Sequence, residues 1–254
     1  MPAASIRARV RAEMTEEIKQ VARQHLATDG ANLSLRAVAR DMGMVSSAVY
    51  RYFPSRDDLL TALIIDAYDD LGTAAEQALA ALDQSGDVDP LDRWVAVCRA
   101  ARDWAVAHPH EYALIHGTPV PGYRAPGDTV GPASRVGLAL VRVASEAHQR
   151  GRLEFPRGRA LPGPVRADVV RFAVDVAPEL PIPTAAALVA VWAQLFGIIS
   201  FEVFGQFDQL VEARAEFFAH AAAALAVQVG IRDTPPAVDA AGGSPAGEVV
   251  LPAQ

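Results

Sequence analysis

Along residues 34–53, SLRAVARDMGMVSSAVYRYF, the apolar positions fall into two groups at three- and four-residue spacing with a glycine between them. Leu35, Val38 and Met42 share one face of a first short helix, and Ala39 is small enough for a second helix to cross close to it. Gly43 ends that helix, because the residue after a helix often takes a positive φ that glycine adopts without steric cost. Met44 is expected as a buried plug behind the turn, and Val49 and Phe53, four residues apart, anchor the second helix. Ser46, Ser47, Tyr50 and Arg51 are left facing outward. Short donors, a phenol and a guanidinium are the groups that reach base edges and phosphate oxygens when a helix enters a major groove. The pattern is a helix-turn-helix. The competing reading, a helical hairpin inside a core, is disfavoured because the turn glycine, Ala39, the buried spacing and the following Ser55 all agree in register.

Elsewhere the helical spacing recurs over residues 13–28, 56–83, 91–108, 111–116, 132–150, 164–176, 184–204 and 209–229, with few alternating β-type runs. An all-α protein is predicted: an N-terminal three-helix helix-turn-helix domain over 1–60 and a larger helical ligand-binding and dimerisation domain over 61–232. Residues 233–254 are rich in Pro, Gly and Ala without periodicity and read as a disordered tail. The connection 117–131 holds three prolines and four glycines, which rules out a long helix. It serves either as a lid over a pocket or as a plain surface crossing.

The last two helices carry apolar residues on more than one face, and their alanines (185–187, 190, 193, then 213, 215, 219 and 221–224) permit close backbone approach. They need a partner. Residues 185–204 are nearly long and apolar enough to span a bilayer, but Gln194, Ser200, Glu202 and the lack of a basic flank favour a buried interface helix.

The hydrophobic share of 51% in 254 residues is ample for a core, and the net charge is −7. That sign looks wrong for a nucleic-acid binder until it is divided along the chain. Residues 1–60 hold nine Lys+Arg against seven Asp+Glu, +2, whereas the remainder holds fourteen against twenty-three, −9. An acidic body repels a duplex and favours docking through the N-terminal face. Arg7, Arg9 and Arg11 precede the first predicted helix either as an arm against DNA or as a solvated start. The arginines at 150, 152, 157, 159 and 166 read as a solvated loop. Cys98 is the one cysteine; it excludes an internal disulfide and suits a reducing cytoplasm, and no signal peptide is expected.

The run Tyr50-Arg51-Tyr52-Phe53-Pro54-Ser55-Arg56-Asp57-Asp58-Leu59-Leu60 resembles the signature that closes the DNA-binding domain of TetR-family regulators. The resemblance is specific over residues 18–63 and architectural beyond. It implies a cytoplasmic homodimer, paired through its last two helices as a four-helix bundle, that reads a pseudo-palindromic operator in double-stranded DNA and, as a repressor, leaves it on binding a small molecule. It implies that Arg36 touches a base or the backbone, that Ser46, Ser47 and Ala48 face the groove floor, that Tyr50, Arg51 and Tyr52 flank it, and that Arg56 holds a phosphate. Ser55, with Asp58 three residues on, looks like the N-cap of the next helix, which puts Arg56 beside exposed N–H groups. The sequence departs from the family at Val45, where a capping serine or acid is frequent, so Ser46 is expected to cap instead. Ala48 offers no hydrogen bond, which shifts base readout toward Arg36, Ser47 and Arg51.

Candidate ligand-binding residues are Trp104, Tyr112, His116, His148, Trp192 and Phe196. They suit a mostly apolar pocket for a hydrophobic effector, with His116 or His148 orienting it, although aromatics at helical spacing also form plain core. The Trp192–Gly197 run is similar to the Trp-His-Gly pattern of one C-terminal subclass, with Phe196 in the histidine's place. No catalytic residue, metal site or cofactor is expected. His110-Glu111 lacks a histidine four residues after His110, and no nucleophile elbow or phosphate loop occurs. A helix-turn-helix protein controlled by a protein partner is the alternative, and a helical enzyme the remoter one.

Overall fold

The computed structural model describes residues 3–30, 33–154 and 160–232; the predicted tail at 233–254 and Arg157 and Arg159 lie outside them. Ten helices follow in order among the described residues: α1 Ala3–Asp29, α2 Leu35–Asp41, α3 Ser46–Val49, α4 Arg56–Asp83, α5 Pro90–Ala107, α6 Pro109–His116, α7 Val130–Gln149, α8 Gly163–Val176, α9 Ile182–Val203 and α10 Arg214–Val229. A single 3-10 turn, Gly127–Thr129, leads into α7. The described residues form no strand, only an isolated antiparallel bridge between Leu153 and Ile231 that ties the end of α10 to the chain after α7.

The helix starts follow from local chemistry. Ser34 caps α2 by accepting from the Ala37 amide, and Ser55 caps α4 by accepting from the Asp58 amide at 3.1 Å while its hydroxyl donates to the Asp58 carboxylate at 2.7 Å. Asp89 accepts from the Leu91 amide, and Pro90 follows it at the first helical position of α5, where a missing N–H costs nothing.

Two cores result. The N-terminal one joins Ile18, Ala22 and Leu26 of α1, Leu35, Val38 and Ala39 of α2, Val49 and Phe53, and Leu59, Leu60 and Leu63 of α4. The larger one joins Ala67, Leu71, Ala75 and Leu79 farther along α4 to α5, α7, α9 and α10. Its centre is Trp94, fully buried, whose indole N–H donates to the Ala222 carbonyl at 3.1 Å. Arg93, nearly buried, reaches Asp83 at 2.7 Å and Glu146 at 2.8 Å, binding α4, α5 and α7 to one another. Gly72 lets α7 approach α4: a Cβ there would lie 2.6 Å from that of Arg135, whose guanidinium binds Asp69 and Glu76 on either side.

Three expectations need correction. The first helix begins at Ala3 instead of residue 13, so Arg7, Arg9 and Arg11 sit on it and do not form a loose arm. Residues 6–12 are exposed and have no face to bury, so hydrophobic spacing gave no sign of the helix, while alanine and arginine are strong helix formers. The last helix begins at Arg214 instead of residue 209, because Gly205 and Gln209 both take positive φ and the chain between turns back to pack Phe207 against Phe201 and Phe217. The basic stretch is partly committed: Arg150 pairs with Asp87 and Arg152 with Asp89, both at 2.7 Å.

Candidate functional site

The turn between α2 and α3 is built as the spacing implied. Gly43 has φ +66°, and the Met44 amide returns to the Ala39 carbonyl at 2.8 Å, closing the end of α2. Met44 is half-buried against the N-terminal core, a plug open on one side. Val45 stands at the N-cap of α3 and is 71% exposed, and no side chain caps that helix; Ser46 is its first residue, so the expected serine cap is not made. Regular α-helix ends at Val49, but tighter bonds from Arg51 to Ala48 and from Tyr52 to Val49 carry the turn on to Phe53.

Ser47, Tyr50 and Arg51 are exposed at positions i, i+3 and i+4, and Arg36 is exposed on α2. Ser46 and Ala48 are half-buried. Tyr52 packs against the core beneath the Arg11 guanidinium, 5.2 Å from its ring centroid. Arg56 is part-buried, and its Nε donates to the Leu33 carbonyl at 3.1 Å, so this side chain braces the loop before α2. Sequence reasoning missed Arg11 as a support: its guanidinium donates to the Arg51 carbonyl at 3.1 Å, a contact forty residues away that no local pattern encodes.

Four of the six candidate ligand residues come together. His116 stacks on Phe196 with ring centroids 4.2 Å apart, lies 5.0 Å from Tyr112 and meets the edge of Tyr68 at 5.9 Å. Trp192 stands edge-on to Phe196 at 6.0 Å and is 43% exposed. The Tyr112 hydroxyl donates to the Phe196 carbonyl at 3.1 Å and lies 2.9 Å from Ser200 Oγ. Burial pushes the Tyr112 phenol up to about 12 and the His116 imidazole down to about 4, so both are neutral near pH 7. Trp104 stacks instead on His108, and His148 lies at the last turn of α7 with no ring contact to the cluster. Burial likewise pushes the Cys98 thiol up, which makes it unreactive.

Three clefts surround the cluster. One of about 450 Å³ is lined by Ile64, Tyr68, Pro119, Tyr123, Thr129 and Trp192, among others. It shares Val130, Ser134 and Trp192 with a nearly all-apolar groove of about 540 Å³ between α7, α8 and α9. A third, of about 550 Å³, lies between the end of α1, α6 and α9. The connection 117–131 runs beside the first cleft: Val120 is buried in the N-terminal core, and the Tyr123 hydroxyl lies 2.9 Å from Thr61 Oγ1. Among the described residues no three His, Cys, Asp or Glu side chains gather to hold a metal.

A helix pair with a glycine turn and an outward donor face, set on a helical body with clefts, defines a two-part helix-turn-helix regulator of transcription. The chain belongs to the TetR family: residues 18–63 match the model for bacterial regulatory proteins of the tetR family and residues 94–225 the tetracyclin repressor-like C-terminal domain. It is 38% identical over 229 residues to the HTH-type transcriptional regulator Rv1816 of Mycobacterium tuberculosis, covering 85% of this chain and 93% of that one. The crystal structure of regulatory protein SCO4313 is similar at 33% identity and a TM-score of 0.66, over 89% of this chain and 98% of that one. The TetR-family regulator PfmR of Thermus thermophilus, at 19% identity and a TM-score of 0.52 over 85% of this chain and 98% of that one, shares the fold. The protein is therefore a DNA-binding, non-enzymatic transcription regulator.

Proposed function

We propose that this regulator is a homodimeric, cytoplasmic repressor that reads a pseudo-palindromic operator and releases it when a small apolar molecule enters the body. Readout falls to Arg36, Ser46, Ser47, Ala48, Tyr50, Arg51 and Tyr52, with Arg56 holding a phosphate beside the N-terminus of α4. The dimer would form through α9 and α10. Ala190, Ala193, Gly197 and Phe201 on one and Phe217, Ala224 and Val227 on the other are exposed or half-exposed, a surface that a second copy would cover as a four-helix bundle. Pairing there also accounts for the apolar length of α9 without a membrane, since its other face is buried at Leu188, Val191, Leu195 and Ile199.

The observation that carries the effector reading is the double role of the connection 117–131. Val120 and Tyr123 pack on the DNA-binding core, while Pro119, Val120, Tyr123, Ala125 and Thr129 line the first cleft. A ligand that favours a different path for this segment shifts the populations of two arrangements of the DNA-binding unit, and DNA weakens ligand binding by the same factor. Control by a protein partner is the second reading, favoured by the open apolar groove with Leu138, Val189 and Trp192 exposed along it.

The test is selection of bound fragments from random DNA by the purified protein at two salt concentrations, followed by displacement with a library of small apolar compounds. An enriched pseudo-palindrome released by such compounds supports the proposal. A lone half-site, or an operator that only a protein fraction releases, refutes it.

A further inference from the structure

The third cleft differs from the other two in that the end of α1 forms part of its wall. Leu26 comes from the last turn of α1 and Gly30 from just beyond it, His110, Ala113 and His116 from α6, Ser200 from α9 and Phe204 from its C-cap. Leu26 is also part of the DNA-binding core. Among the described residues no Lys, Arg, Asp or Glu lines this cleft, so an ionised ligand would find no counter-charge from them.

Two polar groups at this cleft have unused capacity. His116 Nε2 is buried and has no hydrogen-bond partner, while Phe196 and Tyr112 hold its ring from the sides. An unmet buried nitrogen is a cost to the fold that a matching polar atom removes. The Tyr112 hydroxyl spends its one proton on the Phe196 carbonyl, so the Ser200 hydroxyl donates to the Tyr112 oxygen and keeps its own lone pairs free. A hydroxyl satisfies this pair in the tautomer that carries the proton on Nε2, because it accepts from Nε2–H and donates its own proton to Ser200 Oγ. A carboxylate only accepts and carries a charge.

We infer that the cleft between α1, α6 and α9 binds a neutral molecule with a hydroxyl on an apolar frame, the hydroxyl meeting His116 Nε2 and Ser200 Oγ. Its frame lies against Leu26 and Phe204, so the ligand touches the DNA-binding unit directly and moves the end of α1 relative to α9. This regulatory part rests on the proposal that a small molecule controls DNA binding; the site itself does not.

The experiment uses the full-length protein, with phenol as probe and toluene and benzoate as controls of similar size. Calorimetric titration gives the affinities, and nitrogen NMR of histidine-labelled protein reports the imidazole. Phenol is expected to bind at least about tenfold more tightly than toluene or benzoate and to shift the His116 Nε2 resonance, identified by its loss in His116→Phe. That preference should vanish in His116→Phe and fall in Ser200→Ala, both of which keep the stack and the helix intact. Absence of phenol binding, equal binding of toluene, or a preference that survives both substitutions overturns the site. Anisotropy with the selected operator fragment is read separately. If phenol binds through His116 but leaves DNA affinity unchanged, the site stands and the small-molecule control of DNA binding fails.

Discussion

Arg11, near the start of the first helix, donates to the carbonyl of Arg51 at the far end of the recognition turn and lies over the ring of Tyr52. That carbonyl is among the last of a short helix and has no partner within it. Arg11→Ala is therefore expected to loosen the recognition turn and weaken operator binding by about three- to tenfold, with little change in melting temperature because the contact is exposed. Arg11→Lys should restore only part of the loss. Anisotropy titrations of both variants check this; unchanged affinity in Arg11→Ala removes the support role.

Two glycines are expected to fail for different reasons. A Cβ at Gly43 would meet open space, but the residue has a positive φ, so Gly43→Ala should cost about 1–2 kcal/mol through the backbone alone. Gly72 has ordinary helical φ, but its Cβ would strike Arg135, so Gly72→Ala should cost about 1–3 kcal/mol by parting α4 from α7. Urea unfolding gives both values. DNA affinity of folded protein should suffer more from the Gly43 change.

His116 makes stability depend on pH. Its folded value of about 4 lies below the ordinary 6.5, so the folded state binds the proton less well than the unfolded chain. The contribution is fully present above pH 6.5 and is lost as pH falls toward 4, reaching about 3 kcal/mol. Carboxylates titrate across the same range in any variant. Unfolding free energies of the parent and His116→Phe measured from pH 7.5 to 4 should thus converge or cross in favour of the variant as the pH drops; parallel curves would contradict the buried, neutral imidazole.

Tyr123→Phe removes the hydroxyl facing Thr61 and leaves the ring packed on the DNA-binding core. A loss of about 0.5–1.5 kcal/mol in stability is expected. Operator affinity without effector should fall in the same variant, since the hydroxyl ties the connection to α4. Retained affinity with reduced stability would assign Tyr123 to the fold alone.

Much of this was legible in the residues. The turn glycine, the Ser55 cap and the bounds of α4 follow from short-range rules, and short-range rules survive without knowledge of the whole chain. The limits of α1 and α10 did not, for opposite reasons. The start of α1 has no buried face to betray it, whereas the apolar residues ahead of α10 mimic helical spacing while Gln209 takes a positive φ. Among the aromatics, Tyr112, His116, Trp192 and Phe196 sit on neighbouring faces of α6 and α9, but composition alone gave no means to separate them from Trp104 and His148. Contacts such as Arg11 with Arg51 belong to tertiary packing and leave no trace in spacing.

The 28 residues of α4, about 42 Å of continuous hydrogen-bonded backbone, carry Leu59 in one core and Leu79 in the other. Neither core can melt without fraying a rod that the other holds. Heat denaturation should consequently give one calorimetric peak, with a van't Hoff enthalpy equal to the calorimetric one per cooperative unit, where two beads on a flexible string would give two.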